Sequence, residues 1–489
     1  MKSGFDNKKY EKIQSEKIKE RFNLYDKLYL EIGGKLFDDY HASRVLPGFK
    51  SDAKINMFNE IKDDLEIIFC INANDIEKSK IRAEHGITYD IEVLRLIDNL
   101  TSLNFSINSV VITLYNNQPS VDIFIKKLKR HNIKTYIHKV IKGYPHDIDT
   151  IVSDKGYGAN PYIKTTKKII LVNAPGPGSG KLAVCLSQLY HEHKQGINAG
   201  YAKFETFPVW NLDLKHPVNI AYESATADLQ DVNMIDTFHL NEYNIPAVNY
   251  NRDIESFPVL LSILNKITGN SVYKSPTDMG VNMVGNCITN NEIVEEAAKK
   301  EIVRRYFQEM ANFKLDIVEE YVPQKIKKLM ETLNITEDLI ETRKYALNKA
   351  SSSKSHALAI NLNGNFITGK ETNLLSAPSA LIINSIKTLS NIPDEINLLS
   401  PTVLEPILEL QRGKQKRPLQ LHEVLIALSV CSVTNPVVAD ALKQLKKLEY
   451  KEVHSSYIIT NGELKALKDL KLLVTCEPNF HSNNLFLEK

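Results

Sequence analysis

Between residues 27 and 173, short apolar runs alternate with amphipathic helical patterns, and this alternation restricts the fold more than any other feature of the chain. Lys27 to Gly33, LEIIFCI (65–71), SVVITLY (109–115), KTYIHKV (134–140) and KIILVN (168–173) read as strands. Residues 91–103 and VDIFIKKLKRH (121–131) carry a helical period between them. Nearly continuous apolar strands separated by helices of this length predict a parallel sheet covered on both faces. The expected fold class is α/β, opening with a Rossmann-like, mostly parallel, doubly wound sheet.

The rest of the chain divides by pattern. Residues 196–290 show weak periodicity and are dense in Asn, Asp, His, Pro and Tyr, so we read them as a loop-rich polar segment. From Asn291 to Ala350 apolar residues recur at three- and four-residue spacing with Glu-to-Lys pairs outside, predicting a helical insertion. SSSKS (351–355) reads as a linker. HALAINL, FITGK, HSSYII and LLVTC read as strands around two helices, SAPSALIINSIKTL and HEVLIALSVCS. The Asn363-Gly364 pair marks a hairpin. The expected domains are therefore 1–290, 291–350 and 351–489.

Charge narrows the classes of partner. Lys plus Arg total 61 and Asp plus Glu 59, a formal net charge of +2, which gives no general pull toward nucleic acid or anionic lipid. KKLKRH (126–131) and LQRGKQKRPLQ (410–420) read as solvated basic faces. The longest apolar runs, such as Ile169 to Asn173, fall far short of the ~20 residues that span a bilayer. The N-terminus has no apolar signal core, and five widely spaced cysteines suit a reducing compartment, so the expected location is the cytoplasm.

One loop carries most of the chemistry. KKIILVNAPGPGSGKLAVCLSQLYHE runs strand, glycine-rich turn, helix. Backbone N–H groups at Gly176, Gly178, Ser179, Gly180 and Lys181, with the Lys181 charge and the helix dipole, suit a phosphate or carboxylate. The alternative is a tight turn whose glycines only permit close packing. A nucleotide-type loop would have Gly where Pro175 stands and Ser or Thr where Leu182 stands, so the standard magnesium hydroxyl is missing. A nucleotide with Mg2+ remains one candidate occupant, its metal held by Ser179, Thr226, Asp228 or a distant carboxylate.

Further polar residues concentrate after the first strand and in the middle segment. KLFDDYHASRVLPG places Asp38, Asp39, His41 and Arg44 where a doubly wound sheet keeps its ligands. Lys203, Glu205 and Trp210 lie together, followed by Asp228, Arg252 and Asp253. His41 or Asp228 is a candidate base, and Arg44, Lys203 or Arg252 a candidate charge stabiliser. Taken singly, each is more often a cap or a solvated side chain. No metal site is expected. HEH (191–193) is half of a zinc-protease motif, but Gln195 stands at the second ligand position, and His191 and His193 point to different sides of a helix.

With APGPGSGK come HASRVLPG, YAKFETFPVWNL, YNRDIESFPV and KSPTDMGVNM. Together these segments resemble a bacterial conserved-hypothetical family of about this length that carries a domain-of-unknown-function label. The resemblance implies a Rossmann-like N-terminal unit, a small helical domain and a C-terminal unit similar in topology to cytidine deaminases. It implies no reaction. Some members have been labelled ATP-dependent peptidases, which the spacing of the HEH histidines does not support. Nor does the C-terminal half carry the HxE and PCxxC ligands of zinc deaminases. The expected function is an enzyme acting on a phosphorylated small molecule or nucleotide at Gly176–Lys181. The alternative is a non-catalytic sensor of such a molecule, with the charged helices at 291–345 serving assembly into a homo-oligomer.

Overall fold

The computed structural model describes residues 3–82, 86–269, 272–410 and 417–482, so most of the basic run at 410–420 lies outside the described residues. The chain forms two compact units, Met1–Glu223 with Gln230–Ala298, and Ser224–Leu229 with Lys299–Lys489.

The first unit is built on seven strands: β1 (Lys27–Ile32), β2 (Leu65–Asn72), β3 (Ser106–Tyr115), β4 (Lys134–Lys139), β5 (Ile169–Asn173), β6 (Ala199–Phe204) and β7 (Gly280–Val281). They lie in the order β7-β6-β1-β5-β2-β3-β4, and every neighbouring pair runs parallel. The period of two sorts side chains between faces. Leu28, Leu30, Phe69 and Leu171 face one core, packed with Phe58, Leu96 and Phe124 from helices. Tyr29, Ile68, Val172 and Tyr201 face the other, packed with Val184, Leu189, Phe257 and Leu264. Each fully buried apolar side chain of this size contributes roughly 1.5–3 kcal/mol.

The two windings part between neighbouring strands. From β1 the chain passes to the helix Ala53–Asn59, on the first face. From β5 it turns directly into the helix Lys181–Lys194, on the second. β1 and β5 are hydrogen-bonded neighbours, so their following loops diverge and leave a crevice beyond the carboxyl edge.

Residues 196–290 are more regular than their composition predicts. They contain β6, the helix Pro217–Ala225, the helix Thr237–Tyr243 and an 18-residue helix, Asn251–Thr268. Pro258 inside that last helix and its polar opening, Asn251-Arg252-Asp253, mask a stripe of Phe257, Leu260, Ile263 and Leu264 that is buried. Its periodicity outweighs one proline. The expected linker is also corrected: Ser351–Ser353 complete the helix Thr342–Ser353, and Ser352 and Ser353 hydroxyls donate to the Lys349 carbonyl at 3.1 and 2.7 Å.

The second unit carries β8 (Ala357–Leu362), β9 (Asn365–Lys370), β10 (Glu452–Ser455) and β11 (Leu473–Cys476), in the order β9-β8-β10-β11. The β8–β9 and β8–β10 pairs are antiparallel and β10–β11 is parallel. Asn363 and Gly364 take φ of +58° and +93°, the backbone that the expected hairpin turn requires. β10 starts at Glu452 and stops at Ser455, short of the expected 454–459, because the Ser455 hydroxyl turns to the Tyr457 carbonyl.

Glu477, just past β11, accepts from Arg343 Nε at 2.5 Å and His454 Nε2 at 3.2 Å. Burial alone would raise its pKa, but His454 and Arg343 hold the carboxyl down at about 2. A depressed carboxyl stabilises above the ordinary Glu value of about 4.3 and loses that contribution as pH falls toward the folded value. Urea midpoints at pH 7, 4 and 3 should therefore fall less steeply for Glu477→Gln than for the wild type. Parallel curves would rule this group out as an acid-sensitive support.

Candidate functional site

The glycine loop begins where the fully buried β5 reaches the carboxyl edge. Its carbonyls are tied inward: Gly176 O accepts from the Ser179 hydroxyl at 2.9 Å, Gly178 O from Asn72 Nδ2 at 3.3 Å and Ser179 O from the Thr113 hydroxyl at 2.8 Å. With the carbonyls so used, the N–H groups of Gly176, Gly178 and Gly180 meet no acceptor among the described residues. Gly180 caps the following helix at φ +84°, in the left-handed region. Backbone donors at a helix start, with the dipole behind them, favour an anion.

The crevice between the two windings adjoins this loop. It is lined by Gly34, Lys35, Leu36 and Phe37 after β1, by Asn173 and Ala174 at the end of β5, and by Glu92, Arg95 and Leu96 of the helix Tyr89–Ser102. Buried Glu92 holds Arg95 through two bonds, 2.8 and 3.0 Å, and Asp38 lies 3.6 Å from the guanidinium. The rim is fixed by Lys54, fully buried, which bonds the Lys35 carbonyl at 2.9 Å and Asp39 at 2.8 Å.

A second set of charges continues from the loop along the other face of the sheet. Lys181 Nζ lies 3.9 Å from Glu31, and Glu31 accepts from the Tyr201 hydroxyl at 2.8 Å. In the parallel register Glu31 sits opposite Lys203. Lys203 Nζ stands 2.5 Å from both Glu205 and Asp253. Burial would lower the Lys203 pKa, yet Asp253, Glu205 and Glu31 together raise it, so it stays charged. Burial pushes the Glu205 carboxyl up to about 7 against the pull of Lys203, with Asp253 adding to the rise.

The expected site residues separate into groups. Gly176, Gly178, Ser179, Gly180 and Lys181 form one loop, and Lys203 joins it through Glu31 and Tyr201. Arg252 adjoins Asp253 but pairs with Asp231 at 3.3 Å, its side chain more than half exposed. His41 sits edge-on to Tyr222 with ring centroids 4.6 Å apart, and Arg44 lies half-buried in the last turn of the helix Tyr40–Val45. Asp228 occupies an exposed turn counted with the second unit, where its carbonyl accepts from the Tyr321 hydroxyl at 3.2 Å. Sequence reasoning passed over Glu31, Tyr201, Arg95 and Lys54. A lone acid among the apolar residues of LYLEI was the available signal for Glu31.

His191 and His193 diverge, their Nε2 atoms meeting the carbonyls of Asn160 at 2.8 Å and Ala199 at 2.9 Å. Among the described residues no group of three or more His, Cys, Asp or Glu side chains is placed to hold a metal ion. None of the described helices is long and apolar enough to cross a membrane.

Comparison with known proteins covers the whole chain. It is 53% identical over 499 aligned positions to a UPF0371 protein of Clostridium botulinum strain ATCC 19397, spanning 99% of each. It is 52% identical to a UPF0371 protein of Clostridium tetani, again over 99% of each. The family model described as "Domain of unknown function DUF1846, N-terminal" matches residues 3–334, and its C-terminal counterpart matches 339–486. The chain belongs to the DUF1846 family.

Proposed function

We propose that the chain is a cytoplasmic enzyme that binds a phosphorylated small molecule where the glycine loop meets the crevice between β1 and β5. One observation carries this reading: the N–H groups of Gly176, Gly178 and Gly180, which meet no acceptor among the described residues, stand at the switch point of a parallel sheet. That is where such sheets hold ligands. Lys35 lines the adjoining crevice, where Arg95 is held by Glu92 and Asp38, and Lys181 supplies a cation at the helix start. The five cysteines, all free, suit the cytoplasm. A nucleotide with Mg2+ fits the loop less well, because the Ser179 hydroxyl already donates to Gly176 O and Leu182 offers no metal ligand. The deaminase-like topology implied for the C-terminal sheet enters this reading only as a scaffold.

A thermal-shift series with inorganic phosphate, sugar phosphates and nucleotides, each with and without magnesium, tests the proposal. A compound at ~100 times its dissociation constant adds about 2.7 kcal/mol of stability. Lys181→Ala should weaken the same compound about tenfold, the worth of one partly screened charge-assisted bond. Unchanged affinity in that variant removes Lys181 from the site, and no shift with any compound removes the loop. A second reading, a non-catalytic sensor that assembles on binding, is favoured by exposed Ile426, Val430 and Val433 on and beyond the helix Leu421–Cys431. Light scattering with and without the compound would detect a change in mass.

A further inference from the structure

We propose that Glu205 and Lys203 form the reacting centre of this site, Glu205 removing a proton from carbon beside a carbonyl group and Lys203 supporting the oxygen. The substrate class is an open-chain sugar phosphate. This rests on the reading of the glycine loop as the phosphate site, with the rest of the substrate running over the carboxyl edge toward β6 and not into the crevice beside Lys35 and Arg95, and four observations carry it.

Glu205 follows β6 directly and is only 8% exposed, yet it lines a small crevice with Trp210, Asn249, Thr277 and Gly280. Its two oxygens differ. Oε1 meets Lys203 at 2.5 Å, while Oε2 accepts no hydrogen bond among the described residues and faces Gly280, where a Cβ would stand 3.2 Å away. A nearly buried carboxylate oxygen, open on one side into a crevice, is the geometry of a base awaiting a proton.

Lys203 is fully used on two sides only. Its ammonium meets Glu205 and Asp253, which leaves the third of its three N–H donors for a substrate oxygen.

Spacing selects the ligand. Lys203 shares with Tyr201 the face of β6 that packs against the helix that the glycine loop starts, and Glu205 follows the strand two residues on. β5 and β6 flank β1, so the strand ends from which the glycine loop and Glu205 start lie two strand spacings apart, ~10 Å in all. Subtracting a contact of ~3 Å at each end leaves room for a chain of a few carbons between phosphate and reacting carbon. Gly33, just past β1, lets the backbone pack closely against the end of β6, since a Cβ there would meet the Phe204 carbonyl at 2.9 Å and Glu205 Cγ at 3.4 Å.

The fourth observation is electrostatic. Burial raises the Glu205 carboxyl above the ordinary range, Lys203 limits the rise and Asp253 adds to it, which favours a carboxylate able to take up a proton. The charged and titratable groups around it are Lys203 on its own strand, Glu31 on β1, and Tyr250 and Asp253 at the start of the helix Asn251–Thr268.

The step balances without a further reactant. The C–H bond breaks and its proton moves to Glu205 Oε2. The electron pair forms a C=C bond, and the C=O π pair moves to oxygen, where the Lys203 N–H holds the charge. Return of the proton to the opposite face of the same carbon gives an epimer; return to the adjacent carbon, with the enediol hydroxyl proton passing to the oxygen held by Lys203, gives an aldose–ketose pair.

The test uses the full-length protein in D2O with ribose 5-phosphate, ribulose 5-phosphate, glucose 6-phosphate and fructose 6-phosphate. Proton NMR follows exchange of carbon-bound hydrogen, and thermal shift follows binding in parallel. The expected result is exchange in at least one compound, with a rate that rises with pH as the Glu205 carboxyl, held above its ordinary range, loses its proton. Glu205→Gln should lower that rate at least 100-fold and flatten the pH profile, with the thermal shift from the same compound retained. Binding without exchange, or exchange undiminished in Glu205→Gln, overturns the role of Glu205 and leaves the loop reading standing. No thermal shift from any of the four overturns the loop reading for this class and the present proposal with it.

Discussion

Lys54→Met is expected to destabilise the protein by about 3–5 kcal/mol at pH 7, the cost of leaving one member of a buried ion pair without its partner. Lys54 is fully buried and its ammonium bonds Asp39 at 2.8 Å. Met keeps most of the side-chain volume, so the loss reports charge rather than a cavity. Asp39 cannot escape to water, because its other oxygen accepts from the Ala42 N–H at 3.2 Å and caps the short helix that carries His41 and Arg44. Burial alone would raise the Asp39 pKa, but Lys54, Lys35 and the Ala42 N–H hold it below the ordinary value. A depressed carboxyl stabilises above its unfolded pKa of about 3.9, and that contribution is lost as pH falls through the folded value. In Lys54→Met the unpaired carboxyl takes up its proton more readily, so the gap to wild type should narrow as pH drops from 7 toward 4. Adding Asp39→Leu should recover most of the loss, short of about 1 kcal/mol for the missing cap. A single variant within about 1 kcal/mol of wild type in urea unfolding would mean that water reaches the pair.

The parts of this molecule that sequence reveals are those whose cause is local. β2 and β5 declare themselves because strands buried on both faces must be apolar at successive positions. The glycine loop is legible because strand, turn and helix are contiguous, and Lys181 heads the helix. The charge cluster is not local. Glu31 meets Tyr201 from 170 residues away, and the strand register that sets it opposite Lys203 follows from the sheet order, which no local pattern encodes. Lys54 is hidden for another reason: what holds its ammonium is the loop at Lys35 and Asp39, 15 to 19 residues earlier in the chain. Pro258 hides a long helix by the ordinary rule that proline breaks one, and here packing of Phe257, Leu260 and Ile263 against the sheet outweighs the lost hydrogen bond.

Gly180→Ala should cost about 3 kcal/mol, whereas Gly178→Ala, two residues earlier in the same loop, should cost about 1 kcal/mol. Both glycines have left-handed backbone, φ +84° and +73°, so both substitutions carry the ~1 kcal/mol penalty of an L side chain there. Only Gly180 is also enclosed. A Cβ would stand 2.9 Å from Thr113 Cγ2 and Oγ1, whereas at Gly178 it would meet nothing within 4 Å. Thr113 is buried and its hydroxyl holds the Ser179 carbonyl, so pushing it aside strains β3 and frees a loop carbonyl to turn toward the anion site. The same substitution should therefore weaken phosphate binding beyond its effect on stability. Thr113→Ala in the Gly180→Ala background removes both 2.9 Å contacts and leaves only Cβ at 3.0 Å. Urea unfolding of the four proteins in this cycle should then show a favourable coupling of about 1–2 kcal/mol between the two substitutions. Additive losses would mean that the backbone angle alone, and not the packing of the loop against β3, fixes the orientation of the donors.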